Sequence, residues 1–570
     1  MSTDETTRPD GGVVEGDDVY ASEEEGREYR TTAYTPRNYE ELEIAPETSE
    51  YPKPGKGGHF RIAELSRVPK VSHIVGPSAV MLGASLGSGE TLFWPVLVAQ
   101  NGWALYWAFW VGVLTQFFIN TEIQRWTIAT GESIFQALNR IHGVWPWFFL
   151  AAGFFHVGWP GWAAGAAQVF SAGVGLGQEN WVIPGIALMV LIWLSYQAHP
   201  VMYNVVEKAQ VGLMFLAIAT AIVLVLIVGS IGQLANVPGG AVSFGTLPAE
   251  MDIAVFLGGL AYAGAGGYIN LSQGVWAREK GYGMGSYQGR VKNPLIGEDP
   301  EPVEANGFVF EPTETNLRRW KGWWKVTQLE HVLTFVLGLL IVATIMMTVS
   351  RQFAAGTELG AIEMWLNEVI PAVGGVGILL YVVLFLALFT TEYAIIEAFV
   401  RNSVDIVYEM YGRQAGWSLP RVFWGLLTVF TLWGIGIIGL QFEQPFILLV
   451  IGAAIAGVMM WPYNALTIIL NTTKLPEHTQ PGWARVVAMW WATGFFGYFS
   501  VLLIADQLVS RFGINTFQTS PAIVGSNAGA YVLWVLALVV QVYTMYRSFQ
   551  GKRASEGTVE GADEAHGTLS

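Results

Sequence analysis

Apolar residues in this chain run on rather than alternate. Twelve mostly apolar stretches, roughly 74–99, 103–128, 145–173, 181–197, 202–231, 252–276, 330–350, 373–400, 420–440, 445–471, 484–506 and 528–547, reach or approach the ~20 residues that a helix needs to cross a hydrocarbon core. Spanning strands would instead show ten-residue segments of alternating polarity. The pattern predicts an all-α, polytopic membrane protein of about a dozen spanning helices. Polar residues gather in the connections. The longest interior connection, 277–329, ends in Arg318, Arg319, Trp320, Lys321, Trp323, Trp324 and Lys325, a mixture suited to a short helix in the headgroup layer. A second interfacial helix is expected within 357–370.

Composition narrows the class. Of 570 residues, 52% are apolar and 13% charged, and an ordinary globular protein carries about twice that charged share. A soluble enzyme and a nucleic-acid binder are both excluded, and the lipid bilayer is the implied partner. The chain has no cysteine, which removes disulfides, thiolate metal sites and cysteine nucleophiles. Its formal charge of -15 sits at the ends: residues 1–50 hold 15 acidic and 4 basic residues, and 551–570 hold 4 and 2. Both tails have the composition of disordered, solvated chain. With the N-terminus inside, only Arg351 and Arg511 of the 30 Lys and Arg fall in outer connections. The positive-inside rule therefore predicts a multi-pass cell-membrane protein with both termini cytoplasmic.

Glycine interrupts two of the apolar runs. The first contains Gly83-Ala84-Ser85-Leu86-Gly87-Ser88-Gly89-Glu90-Thr91, and the sixth contains Ala263-Gly264-Ala265-Gly266-Gly267-Tyr268-Ile269-Asn270. Unwound backbone at membrane depth leaves peptide groups unpaired, at several kcal/mol each, unless a partner meets them. A binding cavity is the expected partner. The two breaks lie five runs apart, the spacing of inverted five-helix repeats that bind substrate between their broken first helices. Glu90 follows the first break at the start of a half-helix whose dipole favours negative charge, and carboxylates at such depth normally face a cavity, an ion or a partner. Thr390, Thr391 and Glu392 offer polar atoms from the eighth run. Gly158, Gly161 and Gly165 in the third read as close-packing positions.

These residues resemble the Nramp (natural resistance-associated macrophage protein) transporters, which share the leucine-transporter fold. The likeness is densest over 76–134. Gly76-Pro77 opens the first run, and counting on without gaps places the family's Asp-Pro-Gly-Asn metal motif on Gly87-Ser88-Gly89-Glu90. Its Gly-Tyr falls on Gly102-Trp103 and its Ile-Ala-Thr-Gly on Ile128-Ala129-Thr130-Gly131. The resemblance implies a five-plus-five inverted repeat with two extra C-terminal helices, alternating access around broken helices 1 and 6, and a divalent metal cation as substrate. The departures bear on which cation. The metal-binding Asp is Gly87, the Pro is Ser88 and the Asn is Glu90. The Met-Pro-His of family helix six corresponds to Gly264–Tyr268, with neither Met nor His. The family's helix-three acids have no counterpart between Trp147 and Ser171, where His156 is the titratable side chain. Loss of the thioether removes the soft ligand that favours late transition metals. One carboxylate with carbonyls and amides suits a hard, partly hydrated ion such as Mg²⁺ or Mn²⁺.

The expected organisation follows: a disordered acidic tail over 1–70, a first repeat over 71–231, a second over 232–471 containing the loop 277–329, two further spans within 472–547, and a disordered tail over 548–570. The candidate substrate-binding set is Gly87, Ser88, Gly89, Glu90, Gly264, Gly266, Gly267, Asn270 and Glu392. Its metal-facing members are Glu90, Gly87, Gly264 and Asn270. An amino-acid or other small organic solute symporter is the alternative, since Leu86-Gly87-Ser88-Gly89 also resembles the Gly-Ser-Gly break of amino-acid permeases. There, freed N–H groups bind the substrate carboxylate and Glu90 must pair with an amine or cation. A non-transporting sensor or scaffold is the third reading. No His-Glu-x-x-His, P-loop or soluble domain suggests an enzyme or a cofactor, and nothing in the sequence sets an oligomeric state.

Overall fold

The structure is a computed structural model that describes residues 18–30, 32–229, 231–248, 251–293, 301–442, 445–512 and 528–566. The expected tail ends 1–17 and 567–570, and 294–300 of the long loop, lie outside the described residues.

The apolar runs fold as helices. α1 (Pro77–Ser85) leads through a π-helical segment, Leu86–Phe93, into α2 (Trp94–Asn101). α3 (Tyr106–Thr130) follows. The third run is divided into α4 (Val144–Val157) and α5 (Gly161–Gly173), with Pro160, which has no N–H to continue a helix, at the join. Next come α6 (Val182–Ser195) and α7 (Met202–Val228). The sixth run is likewise two helices, α8 (Ile253–Ala261) and α9 (Gly267–Lys280). α10 (Glu314–His331) continues through a second π segment into α11 (Leu337–Phe353). The remainder are α12 (Gly377–Val407), α13 (Leu419–Gly439), α14 (Pro445–Thr473), α15 (Trp483–Phe512) and α16 (Ala528–Ser555). Seven continuous helical stretches among the described residues are long and apolar enough to cross a membrane; the other runs are shorter, interrupted or less apolar.

The first and sixth runs lie at the centre. α12 packs on α1, the first π segment, α5 and α7, while α9 packs on α1, α3, α12 and α14. Ringed by other helices, both interrupted runs can carry polar atoms without facing lipid, the one setting in which irregular backbone is tolerated at that depth.

The tails depart from expectation. Residues 18–30 and 32–70 are ordered: β1 (Arg61–Ile62) pairs in parallel with β2 (Phe308–Val309), register Arg61↔Phe308 and Ile62↔Val309, and Phe60, Leu65 and Val68 are buried. Tyr29 and Tyr282 flank the Trp323 ring at 5.7 and 5.6 Å. The Trp323 indole donates to Ser66 O at 2.8 Å, and Arg319 pairs with Glu64 at 2.7 Å. The tail's charge masks a few spaced apolar anchors, and the tryptophans of α10 supply the surface that holds them. α10 accordingly is no headgroup helix: Trp320, Trp323 and Trp324 are buried. At the other end, Glu477 accepts N–H groups of Gly557 and Thr558 at 2.7 and 2.9 Å, so the second tail is ordered over its described part as well.

Candidate functional site

The first run does not unwind; it widens. Trp94 N–H reaches back five residues to Gly89 O, and the Thr91 hydroxyl donates to Leu86 O at 2.8 Å. The wider π winding frees peptide groups for outside partners, which is why such segments recur at functional sites. Gly87 N–H donates to Thr391 Oγ1 at 2.8 Å, and that hydroxyl donates on to Gly83 O at 3.0 Å. The Trp365 indole, in the helical turn expected to lie at the interface, donates to Thr91 O at 2.7 Å. Glycine is required because neighbouring backbone is so close. A Cβ on Gly87 would lie 2.5 Å from Ala387 O, and one on Gly89 only 1.6 Å from Tyr262 O. The π segment thus rests directly on the start of the interruption in the sixth run.

That interruption is a true break. Between α8 and α9, Gly266 and Gly267 take φ of 63° and 53°, which side-chain-bearing residues rarely adopt. The freed peptide groups meet protein side chains rather than an open cavity. Gln116 of α3 donates to Ala261 O at 2.6 Å and Leu260 O at 3.3 Å, and accepts from Gly266 N–H at 3.2 Å. The Trp94 indole donates to Gly259 O at 2.8 Å. His156 Nδ1 accepts from Tyr268 N–H at 3.1 Å, which places the proton of a neutral ring on Nε2, 2.9 Å from the Tyr262 hydroxyl.

Amid these satisfied groups a carboxylate stands unpaired. Glu90 is 0% exposed, and among the described residues neither carboxylate oxygen has a hydrogen-bond partner; its own N–H and that of Gly264 face it without completing a bond. Ser88 accepts the Trp162 indole N–H at 2.7 Å. One residue on, Ala163 N–H donates to Glu392 Oε2 at 3.1 Å, so Glu392 caps the first turn of α5, where the dipole favours an anion. Asn270 donates to Gln116 Oε1 at 3.3 Å and to the Tyr463 hydroxyl at 3.0 Å, leaving its Oδ1 unpaired. No group of three His, Cys, Asp or Glu able to hold a metal is found among the described residues.

Gly87, Ser88, Gly89, Glu90 and Gly264 therefore gather where the π segment crosses the break. Gly266, Gly267 and Asn270 lie on its α9 side against Gln116 and His156, and Glu392, buried on α12, reaches the first turn of α5. Gly161 and Gly165 pack on Leu449 and Ile362. The sequence reading passed over Gln116, Tyr262 and Trp162. Gln116 carried a signal, an amide between Leu114 and Phe117 inside an apolar run; the two aromatics resembled ordinary packing residues.

No family model matches this chain, and no curated protein matches it. Among solved structures it is similar to a histidine-to-alanine mutant of the Eremococcus coleocola manganese transporter, with 9% identity, a TM-score of 0.57, and coverage of 84% of this chain and 94% of that one. The same transporter in complex with an aromatic bis-isothiourea substituted compound gives 10% identity, a TM-score of 0.56 and the same coverage. At that identity the likeness is one of architecture: the chain has the leucine-transporter fold.

Proposed function

We propose that this protein is a secondary-active transporter that carries a hard divalent cation, Mg²⁺ or Mn²⁺, across the cell membrane by alternating access, with both termini in the cytoplasm. The unpaired Glu90 carboxylate carries the reading. A buried carboxylate without a partner costs several kcal/mol, so a fold that keeps one at the meeting of its two interrupted runs is suited to a positive charge that arrives and leaves. The oxygen donors within reach of that role are hard ones: Glu90, the Asn270 amide oxygen, and the backbone carbonyls of Gly87 and Gly264. Such a set suits an ion that retains part of its water, and it lacks the sulfur and imidazole that late transition metals prefer. The architecture shared with a manganese transporter agrees with this reading. Gradient-driven rocking of one group of helices against another, about a fixed site, supplies the mechanism. The sealed break and the buried carboxylate correspond to an occluded state.

Flux into proteoliposomes tests it, with Mg²⁺, Mn²⁺, Ca²⁺ and an amino-acid panel, each with and without a pH gradient. The expected result is divalent-ion uptake that falls at least tenfold in Glu90→Gln. Amino-acid uptake with no divalent flux, or divalent flux indifferent to Glu90→Gln, overturns it.

A further inference from the structure

A second buried carboxylate cluster lies where the first run begins, well removed in sequence from Glu90. Gly76 caps α1, and its N–H reaches Glu330 Oε1 of α10 at 3.4 Å. A Cβ on Gly76 would lie 3.1 Å from the Glu207 carboxyl of α7 and 3.3 Å from Lys280 Cε at the end of α9. Three elements thus converge on one glycine. Lys280 forms an ion pair with Glu207. Glu207 is 6% exposed, and Glu330, Lys280 and Tyr203 are each 0% exposed. Among the described residues, three polar atoms here have no hydrogen-bond partner: Glu330 Oε2, Glu207 Oε2 and the Tyr203 hydroxyl.

The charges do not balance. Two carboxylates face one ammonium. Of the other charged groups around them, Arg401 of α12, beneath the Tyr203 ring, is held by Glu279 and Glu397, and Lys208 lies on the exposed side of α7. The Tyr282 hydroxyl is committed to Ile74 O at 2.6 Å. His331, next to Glu330, makes its contacts with Ser78 at 2.8 Å and Asn120 at 3.4 Å. One negative charge is left over in a buried place, where an uncompensated ion costs several kcal/mol. A metal ion is a poor remedy, because the Lys280 ammonium would repel it. A proton needs no space and removes the charge.

We propose that Glu330, with Glu207 and Lys280, forms a proton-binding site that controls the hold on the start of the first run. Lys280 pairs directly with Glu207, so Glu330 is the carboxyl without a cation of its own, and the exchangeable proton is assigned to it. As an anion, Glu330 grips the Gly76 N–H and the positive end of α1; protonated, it loosens that grip. In a transporter this links proton binding to movement of the first run, a role that rests on the function proposed above, whereas the proton site itself does not.

Infrared difference spectra of the purified full-length protein between acid and alkaline pH test the site without any transported solute. The background is Glu90→Gln/Glu392→Gln, which removes the two other buried carboxyls that no cation pairs; Glu122, Glu132, Glu279, Glu397 and Asp405 are each held by an arginine. The expected result is a protonated-carboxyl band that titrates in this background and vanishes on adding Glu330→Gln. Glu207→Gln is the second arm: it releases Lys280 to pair with Glu330, keeps Glu330 ionised, and abolishes the same band while leaving the carboxyl in place. A band that survives both substitutions, or no titrating band in the background protein, overturns the proposal. If either variant fails to fold, the other decides. A titrating Glu330 in a protein that moves no solute would leave the site standing and remove the transport reading; flux without the band would do the reverse.

Discussion

Replacing Gly89 by alanine tests whether the π segment truly rests on the broken run. The added methyl would fall 1.6 Å from Tyr262 O and 2.6 Å from its carbonyl carbon. Carbon atoms pack at about 3.5–4.0 Å, so the two chains must part by roughly 1–2 Å. The atoms in conflict are main chain, and no side-chain rotation can relieve them. Overpacking costs about 1–3 kcal/mol and occasionally more; backbone against backbone puts Gly89→Ala near the upper end, about 3 kcal/mol. The controls are Gly212→Ala and Gly425→Ala, helical glycines with no atom within 4 Å of the added carbon. There alanine should be neutral or stabilising by up to about 1 kcal/mol. Thermal unfolding of purified protein, followed by tryptophan fluorescence, should separate the variants in sign, and flux should fall at least tenfold in Gly89→Ala alone. If Gly89→Ala unfolds with the controls, the contact is not tight and the argument for a joined site fails.

Other outcomes follow from the same geometry. Glu122 is buried between Arg125, at 2.9 and 3.1 Å, and Arg485; Glu122→Gln strands two guanidinium groups and should cost about 3–5 kcal/mol, read as a lowered midpoint of thermal unfolding. Deleting residues 1–70 uncovers Trp323, and its emission should shift toward the red while protease cuts α10 faster; unchanged emission would mean the tail does not cover it. His478 lies in the connector after α14, and burial, assisted by His566, pushes it down to about 3. The unfolded chain therefore binds the extra proton below about pH 6.5, stability falls as pH falls through that range by up to ~1.4 kcal/mol per unit, and His478→Gln should flatten that acid-side slope.

What the sequence revealed depended on how local the cause was. Apolar runs are a property of each segment, and they marked the spanning helices. Gly266 and Gly267 are adjacent and need positive φ, so the sixth-run break could be read directly. The first run was harder. Gly87 and Gly89 are spaced for contact with Ala387 O and Tyr262 O, and helix widening satisfies that need without unwinding; nothing within the segment distinguishes the two. The tails failed for a related reason. Their composition is that of disordered chain, yet Tyr29 and Leu65 find partners on α10, hundreds of residues away, and Phe60 meets Trp126 and Arg140. Glu90 was legible as a residue out of place. Its lack of any partner was not, because that depends on Gln116, Trp94 and His156 having taken the peptide groups around it.

Gln116 offers the sharpest test of how the break is held. Its amide satisfies Ala261 O, Leu260 O and Gly266 N–H at 2.6, 3.3 and 3.2 Å, so it stands in for the hydrogen bonds that the broken helix gives up. Leucine fills nearly the same volume and makes none of them. Each buried peptide group left without a partner costs about 1–3 kcal/mol, and at least two such groups are left, so Gln116→Leu should destabilise the protein by roughly 2–6 kcal/mol. Asn120→Leu, one turn along α3, removes a single 3.4 Å contact to His331 and an oxygen already unpaired, and should be nearly silent. Amide hydrogen exchange should localise the difference, with Gly266 and Tyr268 exchanging faster in Gln116→Leu alone. Equal stability of the two variants would mean that the break is held by packing, with Gln116 only adjacent to it. The state seen here would then need no polar latch to remain closed around Glu90.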